Sequence, residues 1–302
     1  MHNLLVVIAG PTAIGKTKLA VDLALHYNSE ILSADSRQFY KELSIGTAKP
    51  SPEEQKGITH HFIDSISIHE AFSAGKFEKE CNNRLEKLFN QYPILFMVGG
   101  SGLYIDAVCN GFDEFTEISP IIRTELNNEY NAKGILFLQE KLRTLDPEYF
   151  SKVDKNNPHR LIRALEVCLA SGKKYSDFKT GKLKKKNFSV VKLLINEERN
   201  TVYRNINKRV DEMIQKGLIE EAELVFPLKH LNALNTVGYK ELFDHFEKKC
   251  SREEAIDKIK QNTRRFAKRQ LTWFKKNADY IEFKPNDFYK IISYIDTVRQ
   301  NM

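Results

Sequence analysis

Eight consecutive residues, Gly10-Pro11-Thr12-Ala13-Ile14-Gly15-Lys16-Thr17, have the types and spacing of a phosphate cradle, G-x-x-x-x-G-K-[ST]. Its glycines permit a tight loop whose backbone N–H groups turn inward. A helix beginning at Lys16 would aim its positive end at the same anion. Lys16 adds a mobile positive charge, and Thr17 a hydroxyl suited to Mg²⁺. A glycine-rich turn can match this pattern by chance. Here the apolar run Leu4 to Ala9 precedes it and the helical pattern Lys16 to Tyr27 follows, which is the context that phosphate binding needs. The chain is expected to hold a diphosphate or triphosphate; the loop alone leaves open what becomes of it.

Two further segments could share that site. An NTPase usually places an acid on a second strand to hold the Mg²⁺ shell. In this chain the run Ile94 to Val98 ends in Gly99-Gly100-Ser101-Gly102-Leu103-Tyr104, with no acid. The nearest available carboxylate is Asp35, at the end of Glu30 to Ala34, which could serve a metal or act as a base. Most aspartates after strands only cap the next turn. Ser36, Arg37 and Gln38 beside it offer the donors and acceptors a nucleobase requires. His60 and His61 are adjacent in a predicted strand and so point to opposite faces, which favours structural roles over a shared metal.

The elements that must position these residues alternate. Apolar strands at Leu4 to Ala9, Glu30 to Ala34, His61 to Asp64 and Ile94 to Val98 are separated by helical patterns at 16–27 and 73–91. That order predicts an α/β fold with a mostly parallel sheet flanked by helices, its strand ends facing a ligand crevice. Between about Phe112 and Asn187 the strand pattern gives way to short helices, an all-helical insertion. One of these is punctuated by Asn157 as cap, Pro158 at its first position and Gly172 beyond its end. It carries Arg160 and Arg163 on one side and a core stripe of Leu161, Leu165 and Cys168 on another. Phe188 to Asn196 returns to strand. Helices are expected at 199–216, 219–226, 238–246, 252–276 and 287–300. The expected organisation is a P-loop kinase-like core of residues 1–112 and 188–302 with a helical insertion of 113–187.

With 302 residues, 41% hydrophobic and 29% charged, the chain has the composition of a globular protein. No apolar run approaches the ~20 residues of a membrane helix, and the first strand begins at once without a leader. A cytoplasmic location is expected. Cys81, Cys109, Cys168 and Cys250 lie far apart with no C-x-x-C pair, which suits buried thiols rather than zinc or disulfides. The net charge is +7. Arg264, Arg265, Lys268, Arg269, Lys275 and Lys276 form a run free of acids, and Gly181 to Lys186 holds four lysines. These are candidate phosphate-backbone contacts, although most basic runs are solvated helix faces. Trp273, after the first run, could stack on a base, but core is the commoner role of a lone tryptophan on a helix.

Taken together, six segments carry a resemblance to one family: the phosphate loop 10–17; Asp35-Ser36-Arg37-Gln38-Phe39-Tyr40; Ile45-Gly46-Thr47-Ala48-Lys49-Pro50; Val98-Gly99-Gly100-Ser101-Gly102-Leu103-Tyr104; Arg160-Leu161-Ile162-Arg163-Ala164-Leu165-Glu166-Val167; and Val237-Gly238-Tyr239-Lys240. With Ala267-Lys268-Arg269-Gln270-Leu271-Thr272-Trp273 they span most of the chain, and the sequence resembles the tRNA dimethylallyltransferases, also called tRNA isopentenyltransferases. The resemblance implies transfer of a dimethylallyl group from dimethylallyl diphosphate, with Mg²⁺, to N6 of the adenosine beside the anticodon of tRNA.

It also implies roles. The loop Gly10, Pro11, Thr12, Ala13, Ile14, Gly15, Lys16 and Thr17 would cradle the departing diphosphate, with Arg209 assisting and Thr17 meeting the metal. Asp35 would act on N6, and Ser101, where the family often has threonine, would hydrogen-bond the adenine. The anticodon stem-loop would be met by Asp35, Ser36, Arg37, Gln38, Ser101 and Arg123, by His159, Arg160, Leu161, Ile162 and Arg163, and by Asn235, Thr236, Val237, Gly238, Tyr239 and Lys240. At 235 and 240 the family frequently has arginine, which puts bidentate contacts there in question. Nothing after Lys276 resembles the zinc finger of some eukaryotic members. The alternatives are an adenylate isopentenyltransferase acting on free AMP, ADP or ATP, a small-molecule kinase, and an RNA-binding module with a vestigial loop. A monomer is the default expectation.

Overall fold

The computed structural model describes residues 3–112, 119–179 and 186–302. In chain order the elements are β1 (Leu4–Ala9), α1 (Lys16–His26), β2 (Ile31–Ser33), α2 (Pro52–Gln55), β3 (His60–His61), α3 (Ala74–Leu88), β4 (Ile94–Gly99) and α4 (Gly102–Asn110). Five helices follow: α5 (Pro120–Lys133), α6 (Ile135–Leu145), α7 (Pro147–Lys152), α8 (Pro158–Ser171) and α9 (Tyr175–Phe178). The chain then runs through β5 (Ser189–Ile195), α10 (Arg199–Gln215), α11 (Leu218–Val225), α12 (Tyr239–Phe246), α13 (Arg252–Phe274), β6 (Tyr280–Phe283) and α14 (Phe288–Gln300). It divides into two compact units, residues 1–110 with 185–302, and 111–184.

The larger unit is built on a parallel sheet of order β3-β2-β4-β1-β5-β6. Its central strand, β1, is apolar at every position because both faces are covered. Leu5, Val7 and Ala9 face one core with Phe77, Leu85, Ile105, Leu242 and Phe274. Leu4, Val6 and Ile8 face the other with Leu19, Leu23, Ile206, Ile291 and Ile295. The period of two along one strand thus seeds two hydrophobic layers. The expected fold, a mostly parallel sheet between helices, is what forms.

Besides the helices α2 and α4, which were not expected, two strands differ from the sequence expectation. β3 is His60–His61 rather than 61–64, because the chain leaves the sheet at Phe62 and Asp64, both at positive φ (65° and 49°). β6 was not expected. Its four residues are partly exposed on the sheet edge, so they lack the continuous apolar run of a central strand.

The smaller unit has its own core of Leu126, Leu138, Leu142, Leu161, Ala164 and Leu165. α8 is bounded as its sequence predicts. The Asn157 side chain accepts from the Arg160 N–H at 3.2 Å, Pro158 occupies the first turn, and Gly172 ends the helix at φ 67°. Cys81, Cys109 and Cys168 are buried free thiols and Cys250 is a half-buried one. Among the described residues no helix is long and apolar enough to cross a membrane. Residues 181–185 of the lysine-rich segment lie outside the described residues.

Candidate active site

Because all strands run the same way and β2, β4 and β1 are neighbours, the loops that follow them emerge side by side. They form a pocket lined by Thr12, Lys16, Thr17, Asp35, Gln38 and Gly100, with Arg209 reaching in from α10. Gly10 lets the start of the loop lie against the end of β5: a Cβ there would lie 2.3 Å from the Ile195 carbonyl oxygen. Ala13 takes φ 61° and Gly15 φ 87°, and no side chain caps α1. Its first N–H groups therefore face the pocket unclaimed by a cap.

Three charged groups set the electrostatics. The Lys16 ammonium donates to the Pro11 carbonyl at 2.6 Å, and its pKa is pushed down to about 7. Withdrawal from water is the main cause and the neighbouring Arg209 the second; Asp35 opposes them. Arg209 is itself lowered, chiefly by burial, and donates to the Thr12 hydroxyl at 3.3 Å. Burial raises the pKa of Asp35, resisted by the Arg37 N–H, 2.9 Å from Oδ1, and by Lys16. Both cations are desolvated and Arg209 further lowers Lys16; Asp35 opposes the shift of each, and Glu54 and Glu212 that of Arg209. A polyanion is the ligand that relieves this imbalance.

The walls are fixed by hydrogen bonds. Ser101 Oγ accepts from the Ser36 N–H at 3.0 Å, which sets its hydroxyl beside the Asp35 loop with its proton left to donate. Gln38 Nε2 donates to the Thr47 and Ala48 carbonyls at 3.2 and 3.1 Å, and its Oε1 accepts from Ser33 at 3.1 Å. Buried Gln270 joins two loops: Oε1 accepts from the Thr12 N–H at 3.0 Å and Nε2 donates to the Gly100 carbonyl at 2.9 Å. The functional reading of the sequence passed over Gln270. Its signal was a polar residue on the buried stripe Ala267, Gln270, Phe274 of α13. Half-exposed Phe266 also lines the pocket, and so do Thr47 and Ala48 from the Ile45–Pro50 segment.

Other expected contacts fall in different places. Leu161, Ile162 and Tyr239 were expected to meet tRNA, but their side chains are buried in the hydrophobic cores (0%, 5% and 0% exposed), where apolar bulk is worth more than a surface contact. Arg37 spends its guanidinium on the carbonyls of Asn232, Ala233 and Asn235 at 3.1 to 3.3 Å, so it holds that segment instead of projecting outward. Arg123 is paired with the buried carboxylate of Glu166, which Arg163 also approaches at 3.5 Å. His159, Arg160, Asn235 and Lys240 are exposed; Thr236 and Val237 are half-buried, and Gly238 is buried. Trp273 is neither core nor free: it is 41% exposed and its indole N–H donates to Asp106 at 2.8 Å. His60 and His61 part as expected, to the Ile58 carbonyl and to Glu30.

Among the described residues there is no group of three histidines, cysteines or carboxylates that could cage a metal. The pocket offers the Thr17 hydroxyl and, across it, Asp35. That sparse oxygen set fits Mg²⁺, which takes most of its ligands from phosphate and water, and does not fit a zinc or calcium cage.

Comparisons with known proteins give the chain its relatives. The family described as IPP transferase matches residues 38–277. The chain is 52% identical to a tRNA dimethylallyltransferase of Christiangramia forsetii over 98% of this chain and 99% of that one. It is 48% identical to one of Flavobacterium johnsoniae over 96% of each. Among solved structures, the tRNA isopentenylpyrophosphate transferase of Bacillus halodurans is 35% identical with a TM-score of 0.73, covering 98% of this chain and 96% of that one. A eukaryotic dimethylallyltransferase acting on tRNA reaches 0.81 at 25% identity, covering 95% and 75%. Family match, full-length relatives and fold point the same way, and the chain belongs to the IPP transferase family.

Proposed function

We propose that this chain transfers a dimethylallyl group from dimethylallyl diphosphate to N6 of the adenosine on the 3′ side of the anticodon, in tRNAs that read codons beginning with U. The observation that carries this reading is the pairing, in one pocket, of a carboxylate raised by burial with two cations lowered by it. Such a site suits a reaction that takes a proton at one end and sheds a polyanion at the other. Relatives named tRNA dimethylallyltransferase supply the substrate class.

In the proposed reaction the bond between C1 of the dimethylallyl group and the diphosphate oxygen breaks, and its electron pair leaves with the diphosphate. The N6 lone pair forms the new bond to C1. N6 of adenine is a poor nucleophile because that lone pair is delocalised into the ring, so its proton must be taken as the bond forms; Asp35 accepts it. The Ser101 hydroxyl and the remaining lone pair of Gln38 Oε1 orient the base, which has to leave its stack to enter. Lys16, Arg209 and the N–H groups of residues 13–17 stabilise the charge growing on the leaving oxygens. Mg²⁺, held by Thr17 and the diphosphate, would neutralise part of that charge. Exposed His159 and Arg160, with Asn235 and Lys240, would grip the anticodon arm through its phosphates.

Incubation with Mg²⁺, dimethylallyl diphosphate and either unmodified tRNA or AMP tests the reading, with the nucleosides analysed by mass spectrometry. Prenylated adenosine from tRNA and none from AMP is expected. Product from AMP alone would place the chain with the mononucleotide transferases.

A further inference from the structure

Glu221, on α11, has no part in the chemistry above, yet it is the most heavily used carboxylate near the pocket. Its Oε2 accepts from the N–H groups of Ser44 and Ile45 at 2.9 and 2.8 Å, and its Oε1 from that of Gly46 at 2.9 Å. The phenol of Tyr239 donates to the same Oε1 at 2.5 Å. Burial, and then Glu221 itself, raise the Tyr239 pKa, so the phenol keeps its proton as donor. Gly46 lies flat on this ring: a Cβ at 46 would come within 2.6 Å of it. One carboxylate thus ties a short helical turn, Ile45–Thr47, to the first residue of α12.

Each end of this tie leads somewhere. On one side, the turn delivers the Thr47 and Ala48 carbonyls that hold both amide hydrogens of Gln38, so the wall facing Asp35 hangs from Glu221. On the other, Tyr239 closes the segment 232–240, whose exposed Asn235 and Lys240 line an open surface groove. A second strap runs parallel. Arg37, whose N–H holds the Asp35 carboxylate, grips the carbonyls of Asn232, Ala233 and Asn235. Both walls around the proton acceptor are therefore linked through hydrogen bonds to one segment, of which Asn232, Asn235 and Lys240 are exposed.

We infer that Glu221 is a positioning residue that couples occupancy of the 232–240 segment by RNA to the placement of Gln38 beside Asp35, through the Tyr239 hydroxyl. This rests on the proposed RNA substrate. A tie of charge-assisted hydrogen bonds transmits a displacement in two steps, from α12 to the carboxylate and from the carboxylate to three consecutive amides. RNA that steadies the segment would hold more firmly an acceptor wall that these bonds already tie in place. A mononucleotide, too small to reach the segment, would not add this restraint.

Tyr239→Phe cuts the tie while leaving the ring packed on Gly46, and Glu221→Gln weakens it at its centre. With tRNA, kcat is expected to fall about tenfold in each variant, with KM for dimethylallyl diphosphate and tRNA Kd unchanged within about twofold. The double variant should lose no more than the worse single one. Hydrogen exchange supplies a readout independent of turnover. Anticodon stem-loop RNA should slow exchange across residues 44–46 in the wild type and not in Tyr239→Phe. Wild-type kcat in Tyr239→Phe, or no RNA effect on those amides in the wild type, would overturn the inference. If Glu221→Gln does not fold, Tyr239→Phe decides alone. Absence of any wild-type prenylation would instead sink the transfer reading, and the exchange experiment would still report on the coupling.

Discussion

Lys16 and Arg209 in the pocket and Arg160 on the small helical unit carry the same charge in opposite settings. The pocket pair is withdrawn from water and each member is pushed toward its neutral form. Arg160 stands in solvent on the first turn of α8. A desolvated cation interacts strongly and over a short range with the one anion that reaches it, so it can stabilise charge as that charge develops. An exposed cation is screened by salt and contributes to grip. The difference predicts that substitutions in the pocket change turnover, and those on the small unit change affinity.

The sharpest break in that comparison would come at Asp35. Asp35→Ala should lower kcat about 10³-fold while tRNA Kd stays within about twofold, measured by single-turnover assay and filter binding. In the wild type the acid limb of kcat/KM should lie above the ordinary carboxylate range, because burial favours the protonated form of Asp35; the limb vanishes with the residue.

Lys16→Ala should cost about 10²-fold in kcat, or about 3 kcal/mol. Its pH signature follows from its lowered pKa of about 7. At pH 8 the free enzyme holds Lys16 mostly neutral, and an arriving diphosphate restores the ammonium, so binding takes up about one proton. Affinity for the donor should rise as pH falls toward 7 and level off below it. Calorimetry in buffers of different ionisation enthalpy would show the uptake, and Lys16→Ala should abolish it.

Gln270→Ala should lower kcat about tenfold and reduce Tm, since it leaves the Thr12 N–H and the Gly100 carbonyl without their shared partner, at about 1–3 kcal/mol. The smallest effect belongs to the exposed cation. Arg160→Ala should weaken tRNA binding about threefold at low salt, reduce the salt slope by about one and leave kcat at saturating tRNA unchanged. A large loss of kcat there would erase the distinction between the two regions.

Much of this was legible in the sequence, for identifiable reasons. The phosphate loop, Asp35 and the caps of α8 are local: each depends on residues within a few positions, so type and spacing suffice. The burial of the Leu161, Ile162 and Tyr239 side chains was not legible, because motif membership does not say which side of a helix faces inward. Arg37 reaches carbonyls 195 and more residues away, and Gln270 meets Thr12 across 258. No spacing rule reports such partners. β6 escaped because an edge strand of four partly exposed residues has too little apolar pattern to stand out. Arg209 at the loop followed from the resemblance, but the withdrawal of Lys16 and Arg209 from water did not, since it exists only when α10 packs against the loop.

The central claim is that the phosphates at Gly10 to Thr17 belong to a leaving group and the group transferred is carbon. Counting released diphosphate against prenylated adenosine in one reaction, with tRNA present and absent, tests it most directly. One diphosphate per modified adenosine is expected, with release dependent on tRNA and no turnover of ATP. Phosphoryl transfer from ATP, or diphosphate release without a prenylated base, would contradict it.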